Sequence, residues 1–276
     1  MSIEVCVLAS GSSGNCTVVR SPAGTLLFDA GLGVRNTAKR LNGTGVRLCD
    51  IDGICLTHLD RDHFSPEWLR KDVRIFCHKQ NADVLGESRS PNDRAKVTIF
   101  KEAFEPLPGI NVTSIELAHD QKSCRAFVVE AFDCRIGYAT DLGEVPASLI
   151  DAFIRLDLLA LESNYDPQMQ MESTRPWFLK QRIMGGRGHL SNEQAFQAVR
   201  DILNRHQTAG HALPAHVVLL HRSRQCNCPK VVRKLFESDA RLRDRLTLAE
   251  QFQPTPWLRV RPSKPLVGEQ MMMKWG

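Results

Sequence analysis

The chain has no apolar run approaching the roughly 18 residues that a membrane-spanning helix needs, so neither a helical span nor a membrane partner is expected. Its first residues, Met1-Ser2-Ile3-Glu4-Val5-Cys6-Val7-Leu8, carry no positively charged opening and no small-residue cleavage site, which makes a cytoplasmic location the expectation. A disulfide framework is missing too. The nine cysteines are an odd number and fall mostly inside apolar runs, as Cys6, Cys55, Cys77 and Cys134 do, which suits buried thiols in a reducing compartment. Cys226-Asn227-Cys228 lacks the second pair that a separate zinc site would need and is read as structure. No short-period repeat and no convincing internal domain boundary are visible. What is present is ordinary globular material: 276 residues, 42% hydrophobic and 24% charged, enough for one large α/β domain. Residues 1–252 are read as that domain, and 253–276, which open with four prolines up to Pro265, as a C-terminal extension.

Charge is unevenly spread. Residues 1–174 hold 18 Lys/Arg against 24 Asp/Glu, and residues 175–276 hold 18 against 7. Clustered positive charge attracts phosphate-bearing partners, DNA or RNA among them. The competing explanation, arginines on solvated helix faces, stands beside it with equal weight. No assembly state is read from the sequence.

The N-terminal third alternates short apolar runs with turn signals. Residues 3–9, 16–20 and 25–29 read as strands that end at Ser10-Gly11-Ser12-Ser13-Gly14-Asn15, Ser21-Pro22 and Ala30-Gly31. A helix follows over 34–41, and a buried strand over 52–56 runs into Thr57-His58-Leu59-Asp60-Arg61-Asp62-His63. Ser65-Pro66-Glu67-Trp68 then opens a helix with proline at its first position. Farther on, strands over 111–117, 125–131, 135–140 and 156–161 run into His119, a hairpin turn, Asp141 and Glu162 respectively. Ser191-Asn192-Glu193-Gln194 is a capping box for a helix over 192–206, and a strand over 215–220 stops at His221.

His58, Asp60, Asp62 and His63 lie within six residues on a loop after a buried strand, and can converge on one point. Imidazole and carboxylate are the groups that hold zinc, iron or manganese. His119, Asp141 and His221 recur at later strand ends. A carboxylate with two oxygens can bridge two cations, so a dinuclear centre is expected. A lone histidine at a strand end is more often a satisfied structural group; His78, His206, His211 and His216, without such company, are read that way.

These residues resemble the metallo-β-lactamase superfamily, whose signature is His-x-His-x-Asp-His after a buried strand. The resemblance runs from Ser10–Asn15 through Leu27-Phe28-Asp29-Ala30-Gly31 to His221. Gly137-Tyr138-Ala139-Thr140-Asp141-Leu142-Gly143, Glu162-Ser163-Asn164-Tyr165-Asp166 and Gly188-His189-Leu190-Ser191-Asn192 are similar to its YycJ/WalJ-like branch. It implies an α/β fold of the αββα four-layer sandwich type and two divalent metal ions. His58, Asp60 and His119 would surround one metal, Asp62, His63 and His221 the other, with Asp141 between them. Position 60 departs from the signature, which has histidine there. A harder oxygen ligand tilts the choice from zinc toward iron or manganese, while an Asp60 that fails to reach would leave the site weakened.

The implied reaction is hydrolysis by a metal-bridging hydroxide. Asp62 and His189 are the candidate catalytic residues, and His189 and Asn192 the candidate substrate-binding ones. His189 precedes a helix N-terminus, a setting that suits phosphate, and a similar histidine in tRNase Z-like members is implicated at the phosphate or leaving group. Its structural alternative is a packing role, and Ser191 and Asn192 are also explained as cap residues. Arg182, Arg187, Arg222 and Arg224 lie near the site in sequence. The reading is a phosphodiesterase or nuclease acting on a phosphate-bearing substrate. The alternatives are a thioester, lactone or amide hydrolase on the same fold, and a non-catalytic nucleic-acid-binding protein with a site weakened by Asp60.

Overall fold

A computed structural model describes residues 2–87, 90–119 and 122–263, without the side chains of His119 and Lys122. Strands β1 (Ile3–Ala9), β2 (Cys16–Ser21), β3 (Gly24–Phe28), β4 (Ile51–Cys55), β5 (Arg74–His78) and β6 (Lys96–Phe100) form one sheet, with β14 (Leu258–Val260) at its far edge. The second sheet runs from β7 (Ala103–Leu107) through β8 (Ile110–His119), β9 (Lys122–Ala131), β10 (Cys134–Ala139), β11 (Leu158–Glu162) and β12 (His216–Leu220) to β13 (Leu246–Leu248). Each seven-stranded sheet is antiparallel on one side and parallel on the other. In the first, pairing changes from antiparallel to parallel between β2–β3 and β3–β4; in the second, between β9–β10 and β10–β11.

Strand alternation sorts the side chains into layers. Phe28, Phe76 and Val5 of the first sheet meet Phe127, Ile136, Tyr138 and Val218 of the second in a central core. Each such fully buried apolar side chain contributes about 1.5–3 kcal/mol relative to exposure. The neighbours Leu27, Ile54 and Ile75 face outward and are covered by α1 (Val34–Leu41), the 3-10 turn Pro66–Arg70 and α2 (Ala82–Glu87), through Leu41, Trp68 and Leu85. On the other side, Val128, Leu161 and Leu219 are covered by α3 (Ala147–Ala152), α6 (Asn192–Thr208) and α7 (Pro229–Phe236), through Leu149, Val199, Ile202 and Phe236. The result is the expected αββα sandwich.

Two further helices, α4 (Pro167–Glu172) and α5 (Trp177–Met184), sit apart from this layering. Leu179, Ile183 and Met184 of α5 pack with Tyr165 and Cys226 in a small separate cluster. The hairpin between β9 and β10 turns on Phe132 and Asp133, both left-handed (φ 51° and 61°), the backbone of a two-residue turn matched to strand twist. Within the proline-rich stretch expected to be an extension, Leu258–Val260 pairs antiparallel with β1, and Ser263 donates to Asp157. Leu258–Val260 is therefore the edge strand of the first sheet, and 264–276 lie outside the described residues. No helix among the described residues is long and apolar enough to cross a membrane.

Candidate metal centre

Parallel strand ends from both sheets meet at one edge of the sandwich. The loop after β4 folds back so that the Asp60 carbonyl accepts from His63 and Phe64 N–H groups, both at 2.8 Å. That turn gathers His58, Asp60, Asp62 and His63. Behind it lies Asp29, fully buried just beyond the end of β3. Its Oδ1 accepts from the Thr57 amide and hydroxyl, each at 2.9 Å, and its Oδ2 lies 2.8 Å from His63 Nδ1. Thr57 Oγ1 in turn lies 3.0 Å from His58 Nδ1. With both Nδ1 atoms committed to this network, both histidines present Nε2 toward the site, the orientation that a carboxylate behind a metal-binding imidazole imposes. Gly31 permits the close packing: a Cβ there would stand 1.8 Å from the Asp62 carbonyl oxygen.

The second sheet contributes one residue per strand end. Asp141 follows β10, Glu162 ends β11 and His221 follows β12. Asp29, Asp141 and His221 all have left-handed backbones (φ 58°, 53° and 52°), a conformation that costs a non-glycine residue about 1–3 kcal/mol. It recurs where a strand end turns its side chain into the site. Asp141 is buried and two-sided: Oδ2 lies 3.5 Å from His58 Nε2 and contacts His63 Nε2, while Oδ1 lies 3.1 Å from His221 Nδ1 and 3.3 Å from His189 Nδ1. His221 Nε2 is 3.2 Å from Asp62 Oδ2. Asp60 Oδ2 stands 4.0 Å from His58 Nε2, so its carboxylate approaches the same imidazole.

Burial resists charging these groups, yet their mutual attraction wins. The Asp141 charge, with hydrogen bonds to Asp62 and Glu162, raises the pKa of His221 to about 9, and His221 and His63 bring that of Asp62 down to about 2. Asp141 is held well below the usual carboxylate range by the charges of His221 and His63. A cluster of buried carboxylates that calls for this much positive charge is chemically matched to a divalent cation. The geometry agrees: ligand atoms of Asp62, His63, Asp141 and His221 all lie within 4.8 Å of one another. Asp141, Glu162, His189 and His221 form a second such group.

The centre floors a cleft of about 470 Å³. Asp60, Asp62, Asp141, His189 and His221 line it, and Arg175, Arg182 and Arg222 stand in its walls. Ser12, from the glycine-rich first turn, borders it as well.

A sequence model of the β-lactamase superfamily domain matches residues 25–217, which hold most of this constellation. The chain belongs to the metallo-β-lactamase superfamily. Its relatives place it with the YycJ/WalJ-like branch. One is an exodeoxyribonuclease YycJ of Bacillus anthracis, 25% identical over 238 residues and spanning 84% of this chain and 87% of that one. Another is an exodeoxyribonuclease WalJ of Streptococcus pneumoniae, 27% identical over 212 residues, 72% of this chain and 77% of that one. Among solved structures, the metallo-β-lactamase-fold protein YhfI of Bacillus subtilis superposes with a TM-score of 0.69 at 15% identity, over 92% of this chain and 99% of that one.

For a metallo-β-lactamase chain, the structure gathers His58, Asp60, Asp62, His63, Asp141, His189 and His221 at one point. His119 ends β8, but its side chain lies outside the described residues. Asn192 is not brought to the cleft. It is fully buried; its Oδ1 accepts from Ser163 at 2.8 Å and from Asn227 at 2.8 Å, and its Nδ2 donates to Asn227 at 3.1 Å. Its neighbour Ser191 caps α6, as the capping box implies. His189 reaches the cleft for a different reason than a helix N-terminus: Glu162 Oε1 lies 2.7 Å from its Nδ1. Glu162 is the residue of this cluster that the sequence reading passes over as a site candidate. It is fully buried, touches both His189 and His221, and takes the Leu142 N–H on its other oxygen. A strand ending on a carboxylate was the available signal. Asp29 and Arg175 were likewise missed as contributors, and Arg187 and Arg224 are exposed and outside the cleft lining. Of the histidines read as structural, His206 is buried, with its Nδ1 on the Ala212 carbonyl and its Nε2 accepting from the Leu156 N–H.

Proposed function

We propose that this chain is a metal-dependent phosphodiesterase acting on nucleic acid, a nuclease of the metallo-β-lactamase fold. The observation that carries the reading is the two-sided Asp141 carboxylate, set between histidines of both sheets at the floor of a cleft with arginine in its walls. The names of the two exodeoxyribonuclease relatives support a nucleic-acid substrate. His58, Asp60 and His119 are assigned to one cation, Asp62, His63 and His221 to the other, and Asp141 to both. Divalent cations held there, zinc or, with Asp60 as an oxygen donor, iron or manganese, would supply Lewis acidity and an acidified water.

The chain's own residues supply the rest. Asp62 Oδ2 and His221 Nε2 face each other at 3.2 Å, so the two would turn their donor atoms toward the same cation. Glu162 holds His189 through Nδ1, which leaves Nε2 as the atom at which a proton is delivered to the leaving oxygen. Arg175 and Arg182 draw the phosphate backbone into the cleft. The test is hydrolysis of bis(p-nitrophenyl) phosphate and of a labelled oligodeoxynucleotide by protein loaded in turn with zinc, manganese and iron, beside thioester and lactone substrates. Turnover of the phosphodiesters alone is expected, and His189→Ala is expected to lower it while metal content stays unchanged. Turnover of a thioester or lactone but neither phosphodiester would overturn the assignment, and binding of DNA without any turnover would favour a non-catalytic role.

A further inference from the structure

Helix α5 carries two large aromatic side chains that its packing does not use. Leu179, Ile183 and Met184 anchor the helix on Tyr165 and Cys226, and the buried Lys180 ammonium donates to the Met171 carbonyl. Trp177 and Phe178 stand out from it, 59% and 70% exposed. Phe178 lies one turn before Arg182 on the same helix face, and Arg182, Leu179 and Ile183 line the cleft. Arg175 lines it two residues earlier. The aromatic pair therefore lies on the helix that builds one wall of the cleft, outside the lining itself, with Phe178 on the face of Arg182 and Trp177 two residues beyond Arg175.

The other large exposed aromatic among the described residues behaves differently. Phe252 has the guanidiniums of Arg224 and Arg40 against its ring, at 4.7 and 5.7 Å from the centroid. Neither Trp177 nor Phe178 has a ring or guanidinium partner among the described residues, so their π-faces are open to another planar group. Of the charge beside them, the Arg175 guanidinium hydrogen-bonds to no carboxylate among the described residues. Arg175 is held by neutral partners, the amides of Gln170 and Gln225 and the Ser223 hydroxyl. Arg222, on the other wall, is tied by two hydrogen bonds to the Glu250 carboxylate.

Resting on the phosphodiesterase reading above, we propose that Trp177 and Phe178 form a stacking platform for unpaired bases of a single-stranded polynucleotide whose backbone enters the cleft past Arg175 and Arg182. Open aromatic faces beside positive charge are the combination that binds single strands without regard to sequence, because every base presents a π-face and every linkage a phosphate. A base paired inside a duplex offers no such face. Self-association is a poor alternative occupant, since two side chains fall far short of the roughly 800 Å² per partner that a stable interface buries.

The experiment is anisotropy titration of the full chain with a fluorescein-labelled, phosphorothioate-linked oligo(dT) and with a blunt hairpin duplex of equal length. Replacing both residues, W177A with F178A, is expected to weaken oligo(dT) binding about tenfold to a hundredfold and to leave hairpin binding within a factor of about two. Trp177→Phe is expected to keep most of the affinity while losing part of the tryptophan quenching that the oligonucleotide produces. Unchanged oligo(dT) affinity in the double variant, with its circular dichroism that of the wild type, would overturn the platform. So would a wild-type chain that sediments as a dimer and a double variant that sediments as a monomer. Wild-type protein that is inert toward bis(p-nitrophenyl) phosphate but shows the expected binding pattern would remove the phosphodiesterase reading and leave the platform supported.

Discussion

In the first sheet the site residues arrive together: His58, Asp60, Asp62 and His63 come from a single loop after β4, backed by one buried carboxylate, Asp29. In the second sheet they arrive singly, Asp141, Glu162 and His221 from three consecutive parallel strands and His189 from the segment before α6. The strand plan is the same in both sheets, antiparallel on one side and parallel on the other. The difference lies in what holds the imidazoles. Asp29 orients His63 directly and His58 through Thr57, whereas Glu162 contacts two imidazoles itself, His189 at 2.7 Å and His221 at 3.2 Å. One sheet orients a preassembled cluster from behind, and the other depends on the parallel register of β10, β11 and β12 to bring separate residues to one level.

The largest effect is expected where the two halves join. Asp141→Ala removes the carboxylate that faces histidines of both sheets, and phosphodiester turnover should fall by more than the about 100-fold that a residue behind the ligands costs. Metal content should fall with it while the circular dichroism is unchanged. Full turnover in this variant would separate the two halves and refute the shared role of Asp141. Next in size are the two backing carboxylates. Glu162→Gln and Asp29→Asn should each cost about 10–100-fold in turnover or metal affinity. Glu162→Gln should cost more turnover, because it loosens His189 as well as His221; an equal or smaller loss would show that the halves are held alike. The smallest effect on chemistry is expected at Asn192. Asn192→Ala strands the buried Ser163 hydroxyl and the Asn227 amide, so a urea titration should show a loss of about 1–3 kcal/mol in stability. Turnover below the unfolding transition should stay near wild type; a large drop in kcat there would return Asn192 to the substrate.

The same contrast explains how much was legible. The loop that bears His58–His63 could be read directly, because four ligand-type residues within six positions after a buried strand are a local pattern. Helix α1 was read to its ends at 34–41, and β1 over 3–9, because turn residues flank clear apolar periodicity. Asp141 and His221 were found as polar residues at strand ends. Glu162 had the same position, but nothing local distinguishes a carboxylate that will meet two histidines from one that will meet water; its partners are 27 and 59 residues away. Asn192 misled for the converse reason: a polar residue near the site in sequence is spent on Ser163 and Asn227 in the interior. Strands β5, β6 and β7 leave no alternation to read: β5 is a short run buried between β4 and β6, and β6 and β7 are edge strands with exposed residues such as Ile99. The three-residue strands β13 and β14 are too short to leave a pattern, and only pairing with β12 and β1 makes them strands.

Asp141 joins the two sheets in one centre, and elemental analysis of desalted protein tests that joint role most directly. Zinc, iron and manganese should together amount to two atoms per wild-type chain and to one or fewer in Asp141→Ala. One atom or none in the wild-type chain, persisting after incubation with each metal, would contradict it.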